Sequence, residues 1–539
     1  MENPPPIHPL TVGVGVLDDP SGKFDLDGQI FQLLPNCAFG GRDVEDAVPY
    51  NLAPNERRQP MKAILNKFKN MPENLKATLV FAIASFATSG INYITTPIFT
   101  RLLSGAEYGT VAVYNSWYSI VRVFASMTLI FPGILNVGLY EHSENRWKYL
   151  STMLGITTVS TAVMTILYAC FPGLFQGLLG LNGSLMALML FSCFALPATT
   201  MWTMKQRYEY RYKSTFVVSV GSAVLAQAVA VAAVMAARGQ QVQHLDEVRL
   251  WSAGLVNAAV GLGLFVYILR QGKTFVDLPL WKKTFLVALP LIPHYLGGEL
   301  LSSMDKIMID ALVGKTEAGI YSLAAILSAI GILLWRALTV MFNPFVNSKL
   351  GSREFGRIRE TVKPLMLVVG VMCIIASLAA PEIIRILGTE EYLAGVYVVP
   401  PVAAGIFIHA MYDTFAAVSF FHKKSSRIMA ATLTAAAVNL VCNYVFIKAF
   451  GYIAAGYTTL LSNLVLTAMH YRNARRIEPE EIYDPKFSLL AVGLVTLGCL
   501  LCNLIYPFLL IRYLCVAALL AFLWTRRKSV IDMLMNMKV

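Results

Sequence analysis

The chain has 539 residues, of which 56% are hydrophobic and only 14% charged, with a mean hydropathy of +0.59; a soluble globular chain carries about 25% charged residues. This composition excludes a soluble enzyme and defines an all-α polytopic membrane protein. The net charge of +12 does not call for nucleic acid, because cytoplasmic loops of membrane proteins collect Lys and Arg.

Residues 1–60 open on "MENPPPIHPL" and continue with scattered Gly, Asp, Asn and Pro without periodicity, which predicts a disordered N-terminal extension. It has no basic segment followed by an apolar one, so it does not read as a signal peptide. Met61 opens "MKAILNKFKNMPENLKATLVF", a basic lead into the first span. The first sixty residues are therefore expected to be dispensable, or to precede the working start.

A helix needs about 20 apolar residues to cross about 30 Å of hydrocarbon. On that rule about fourteen transmembrane helices are expected, centred near Ala87, Val123, Ser160, Cys193, Ala226, Val260, Tyr295, Ile330, Ile374, Ile408, Val438, Thr459, Leu497 and Ala517. Connectors are short, no loop has room for a catalytic domain, and no phosphate-binding loop or cofactor motif is present. The C-x-x-C of Cys499 and Cys502 lies within an apolar run, where thiols act as small hydrophobes.

The second span, "VYNSWYSIVRVFASMTLIFPG" (113–133), carries Arg122 near its middle. An arginine at the bilayer centre costs roughly 2.5–3.5 kcal/mol on insertion scales, so it is expected to face a bundle interior. Asn115, Ser119, Arg122 and Ser126 recur at spacings of four, three and four, which places them on one helical face. The seventh span, "FLVALPLIPHYLGGELLSSMDKIMI", combines Pro290, Pro293 and Gly297-Gly298, which loosen the backbone and predict a bend or gate. His294 and Glu299 are expected to lie deep, as ion-coupling groups or as a buried structural pair. Asp305 and Lys306 are expected near the outer mouth, where an interfacial ion pair is the competing reading. In the eighth span, Arg336, Thr339 and Asn343 lie close to one face. In the tenth, His409 and Asp413 stand four apart; with no third ligand placed they are not a metal site, and they read either as hydrogen-bonded structure or as a cation or proton site.

An internal echo links two of these spans. Glu107-Tyr108-Gly109 matches Glu317-Ala318-Gly319, and each is followed by a helix with one arginine, Arg122 or Arg336, and then a proline, Pro132 or Pro344. Six helices separate the copies. This predicts two six-helix lobes, residues 61–283 and 284–487, followed by a final helix pair and tail over 488–539. Repeats of this kind place a substrate site at their interface. Most of the 44 Lys and Arg fall on one side when the N-terminus is placed inside, so both termini are expected in the cytoplasm of a plasma membrane.

"TTPIFTRLLSGAEYGTVAVYNSW", "SMDKIMIDALVGKTEAGIYSLAAIL" with "NPF" behind it, and the inner "RYEYRYK" resemble the polysaccharide transporters of the MOP superfamily, the Wzx-type flippases, relatives of lipid II flippases and multidrug MATE exporters. The resemblance covers about residues 62–525. It implies a MATE-like pair of six-helix bundles that alternately opens a central cavity, moving undecaprenyl-pyrophosphate-linked oligosaccharide from inner to outer leaflet. It also implies H+ or Na+ as a coupling ion, membrane lipids as partners, and polysaccharide polymerase or glycosyltransferase neighbours. A pyrophosphate needs fixed cations. Arg122 and Arg336 are the candidates, with Asn115, Ser119, Ser126, Thr339 and Asn343 beside them; each arginine reads alternatively as a structural ion pair or an interfacial anchor. A MATE-type drug exporter and a sporulation-related superfamily member are the competing functions.

Overall fold

The computed structural model describes residues 71–537, so the expected N-terminal extension and Met61 lie outside the described residues. All fourteen expected spans fall on helices. The first six are α1 (Glu73–Leu102), α2 (Gly105–Ala125), α4 (Arg146–Cys170), α6 (Gly183–Tyr208), α7 (Tyr212–Gly239) and α8 (Leu245–Gly272), with short α3 (Pro132–Glu141) and α5 (Pro172–Leu179) between them. The seventh is split into α9 (Leu278–Ala288) and α10 (Ile292–Leu312). Then come α11 (Lys315–Gly351), α12 (Phe355–Leu378), short α13 (Ala380–Leu387), α14 (Val399–Phe421), α15 (Ser425–Phe450) and α16 (Ala454–Ile477). The chain closes with α17 (Pro485–Ile505), α18 (Leu509–Thr525) and α19 (Arg527–Asn536).

Local chemistry sets several boundaries. Ser104 and Glu107 form a reciprocal capping box at the start of α2, satisfying backbone donors that a helix start leaves free. Asn182, Asp277 and Asp484 cap α6, α9 and α17 through their side chains. Contrary to the reading of 113–133 as one span, α2 stops at Ala125; Met127 and Thr128 take positive φ, and Pro132 starts α3. Proline has no N–H to continue a helix and forces the preceding residue out of the α region, and Phe131 is indeed extended. In the seventh span the helix is likewise interrupted at a proline, a single 3-10 turn over Leu289–Leu291. The interruption is at Pro290, whereas Gly297 and Gly298 lie inside the continuous α10.

Packing sorts the helices into two sets. α1 packs on α7, and α8 on α6 and α7; in the second set α14 packs on α16, α12 and α11, and α10 on α15. α17 lies against α12 and α14, placing the final pair on the outside of the second set. The sets meet where α2 crosses α10 and α11. The seventh span belongs to both, since α9 packs on α4 of the first set and α10 on α15 of the second. Outward-facing Val163, Ile166, Val441, Leu489 and Leu510 stay exposed, as helices showing a face to lipid require.

Candidate functional site

The two repeat copies are the crossing point of the two sets. Gly109 on α2 lies against the backbone of α11, so a Cβ there would come to 1.8 Å from the Lys315 carbonyl oxygen; one on Gly319 would meet the Gly105 carbonyl at 2.4 Å. Only glycine permits this approach of two helix backbones. Around it, at the end of the bundle where α2 begins, further contacts join the sets. Glu391 accepts from the Gly105 backbone N–H (3.2 Å), Thr100 and Arg101 donate to the Leu387 and Ile386 carbonyls, and Tyr108 packs edge-on against Tyr392.

About 20 Å along α2 from Gly109, at 1.5 Å per residue, Arg122 Nη2 donates to Glu299 Oε1 of α10 at 2.8 Å. The side chains are 35% and 16% exposed. The pair therefore joins the sets directly, and the Arg122 Nε–H is buried without a hydrogen-bond partner among the described residues. Phe131 stacks on Tyr295 beside it (4.1 Å between centroids). Both charged residues stand out in the sequence, but their pairing does not, because it depends on how α2 and α10 cross.

The stripe expected beside Arg122 is only partly available. Asn115 is exposed and lines a cavity, and Ser119 is half-buried; Ser126 is buried and donates to the Arg122 carbonyl. In α11, Arg336 and Asn343 are exposed, and Thr339 donates to the Arg336 carbonyl. His294 is half-buried and packs against Tyr295.

Asp305 does not form the interfacial ion pair that was its competing reading. It is 6% exposed, inside the second set, and accepts four hydrogen bonds: from Tyr321 (2.7 Å) and Thr459 (2.5 Å) on one oxygen, and from Asn443 (2.7 Å) and Asn439 (3.3 Å) on the other. Four donors satisfy an ionised carboxylate, which explains how a charge is tolerated there. Asp305, Lys306, Gly298 and His409 all line one cavity of about 310 Å³. Asp413 does not pair with His409; it accepts from the Trp335 indole N–H at 2.6 Å, a structural bond between α14 and α11. Among the described residues no group of three or more His, Cys, Asp or Glu is placed to hold a metal. Sequence reading passed over Asn439, Asn443 and Thr459. The available signal was polar residues one turn apart in the apolar run "AAAVNLVCNYVFI".

In the loop before α9, Asp277 accepts from the Leu280 N–H (3.2 Å) and pairs with Lys148 (3.2 Å), and these two contacts hold its carboxyl below the usual range.

The architecture, two helical sets joined through a pseudo-repeated helix pair, is that of the MOP-superfamily transporters. The lipid II flippase MurJ in an inward closed conformation matches with a TM-score of 0.60 at 13% identity, over 84% of this chain and all of that one. An inward-facing MATE transporter matches at 0.54 and 11% identity, over 75% and 98%. In sequence, Haloferax volcanii Agl15, named a probable low-salt glycan biosynthesis flippase, is 20% identical over 423 residues, 73% of this chain and 82% of the relative. The family model for polysaccharide biosynthesis proteins matches residues 74–347. The chain belongs to that family, and it is a multi-pass membrane protein.

Proposed function

We propose that the protein flips lipid-linked oligosaccharide, carried on undecaprenyl pyrophosphate, from the inner to the outer leaflet by alternating access, for surface polysaccharide synthesis. The observation that carries this reading is the Arg122–Glu299 pair: a guanidinium deep in the bundle, at the contact between the two helical sets, held by a carboxylate on the opposite set. A pyrophosphate offers the same bidentate acceptor geometry as a carboxylate with more charge. Its arrival displaces Glu299 and releases one set from the other, so that substrate binding and opening are one event. Residues Asn115 and Ser119 supply hydrogen bonds to the sugar beside it, and the exposed Arg336 supplies a second cation from α11.

With both termini in the cytoplasm, the Gly109–Gly319 crossing lies on the outer side. The lobes, 61–283 and 284–487, then rock about the seventh span, and the pair 488–539 rides on the second lobe. Coupling to H+ or Na+ falls to Asp305, the buried carboxylate of α10, where a proton or a small hard cation would take carboxylate oxygen in exchange for some of the four donors that now hold it. The test is flipping of a lipid-linked sugar in reconstituted vesicles under a proton or a sodium gradient. Wild type should transport under one of them, and Asp305→Asn should lose the gradient response. Drug efflux without sugar flipping would replace this reading with the exporter one.

A further inference from the structure

Two cavities of about 260 and 280 Å³ lie inside the first set, between α2, α6 and α8, and share a wall of Tyr118, Leu196 and Asn257. Each is lined by one arginine, Arg249 in the first and Arg122 in the second, and neither lining contains a carboxylate. Arg122 has its counter-charge in Glu299, and the buried Arg512 on α18 has one in Glu382 (2.6 Å). Arg249 differs. Its guanidinium carbon lies 3.9 Å from the Phe99 ring centroid and 5.3 Å from that of Tyr108. Its Nη1 is buried without a hydrogen-bond partner among the described residues, and no described carboxylate lies within ion-pair distance. Of the nearby acids, Glu107 accepts from the Leu245 N–H and Glu247 accepts from Asn182, while Asp246, one turn earlier on α8, is buried with its Oδ1 unpartnered among the described residues and forms no ion pair with Arg249. A half-buried guanidinium with one buried, unpartnered N–H, facing a polar cavity without an ion-pair partner, is costly.

We propose that this cavity is a binding site for a small monovalent inorganic anion of the halide class, held by Arg249. One uncompensated guanidinium calls for one negative charge. The remaining walls supply neutral donors, the Asn257 amide and the Tyr118 and Ser192 hydroxyls, and Gln227, whose amide already gives one N–H to Asn92 (3.1 Å), has a second N–H left. The volume is several times the roughly 30 Å³ that one water occupies, so the ion enters with part of its hydration. Phe99 and Tyr108, on which the guanidinium stacks, belong to the apolar cluster that also contains Tyr392 of the second set. An anion that fixes Arg249 therefore steadies the contact between the sets at the Gly109 end.

The inference rests on the fold and not on the transported substrate, and its test uses no transport. The full-length protein in detergent should melt a few degrees higher in sodium chloride than in sodium gluconate of equal sodium concentration and ionic strength, with saturation as the site fills. Arg249→Gln should remove that difference. Bromide-soaked crystals of the wild type should give an anomalous peak within hydrogen-bond distance of Arg249 Nη1. Should Arg249→Gln fail to accumulate, Asn257→Leu on the shared wall should weaken the chloride response in its place. Equal melting in both salts with no anomalous peak at Arg249 overturns the proposal, and so does a chloride response that persists undiminished in Arg249→Gln.

Discussion

Exchanging the charges of Arg122 and Glu299 separates a cation that grips substrate from one that only joins two helices. Exposed ion pairs contribute about 0–1 kcal/mol, whereas removing one partner of a buried pair costs about 3–5 kcal/mol. With side chains 35% and 16% exposed at 2.8 Å, the loss of either partner here should cost about 1–3 kcal/mol, a shift of about 5- to 150-fold between joined and separated sets. Arg122→Ala should lower the amount of folded protein more than Glu299→Ala, because it strands the more buried partner. The doubly exchanged variant, Arg122→Glu with Glu299→Arg, rebuilds the attraction and should restore protein level and melting temperature. Flipping should stay lost, because the cation now stands on the other set and its place on α2 is acidic. Arg122→Lys should retain part of the flipping that Arg122→Ala loses, since it keeps the charge without the planar fork. Protein level and vesicle flipping are measured together for each variant. Full flipping by the exchanged pair would refute the reasoning and reduce Arg122 to a structural ion pair.

At the crossing, Gly109→Ala drives a methyl into the Lys315 carbonyl, backbone against backbone, so the sets should separate at that end. A single cysteine at Ala106→Cys should label faster with a membrane-impermeant maleimide in this variant, and an unchanged rate would contradict the contact. In α10 the two glycines should differ. A Cβ at Gly297 comes to 3.0 Å from Leu433, whereas Gly298 has open space and lines the 310 Å³ cavity. Gly297→Leu should therefore reduce the yield of folded protein, and Gly298→Leu should insert normally but transport poorly, as read by yield and flipping assay. Asp277 contributes stability as its carboxylate, because the Leu280 N–H and Lys148 hold its pKa below the ordinary value. That contribution is present above the unfolded pKa of about 4 and is lost as pH falls through the lower folded value. The melting-temperature gap between wild type and Asp277→Asn should thus be largest near pH 7 and close toward pH 3; a gap that widens on acidification would have the wrong sign.

Much of this molecule can be read from its linear pattern. Apolar runs of spanning length fix where helices lie, because lipid leaves the backbone no other partner than itself. Ser104 with Glu107 marks a helix start, Pro132 and Pro290 mark interruptions, and the Glu-x-Gly echo at Gly109 and Gly319 marks the two equivalent helices. These signals act over a few residues, or repeat, and so survive in one dimension. What decides charge does not. Arg122 and Glu299 are 177 residues apart, and Asp305 is bound by Asn439, Asn443 and Thr459 more than 130 positions away. Whether an acid forms an interfacial ion pair, the competing reading for Asp305, or sits in a ring of donors depends on which helices surround it. The same holds for Asp413, whose neighbour one turn away was the obvious partner until α11 brought Trp335 to it. The sequence determined the helices, their repeat and the family, since those rest on local chemistry and hydrophobicity. Only the tertiary structure decided which embedded charges are paired and which, like Arg249, have no ion-pair partner among the described residues, because the energy of such a charge is set by what lies within a few ångströms of it in space.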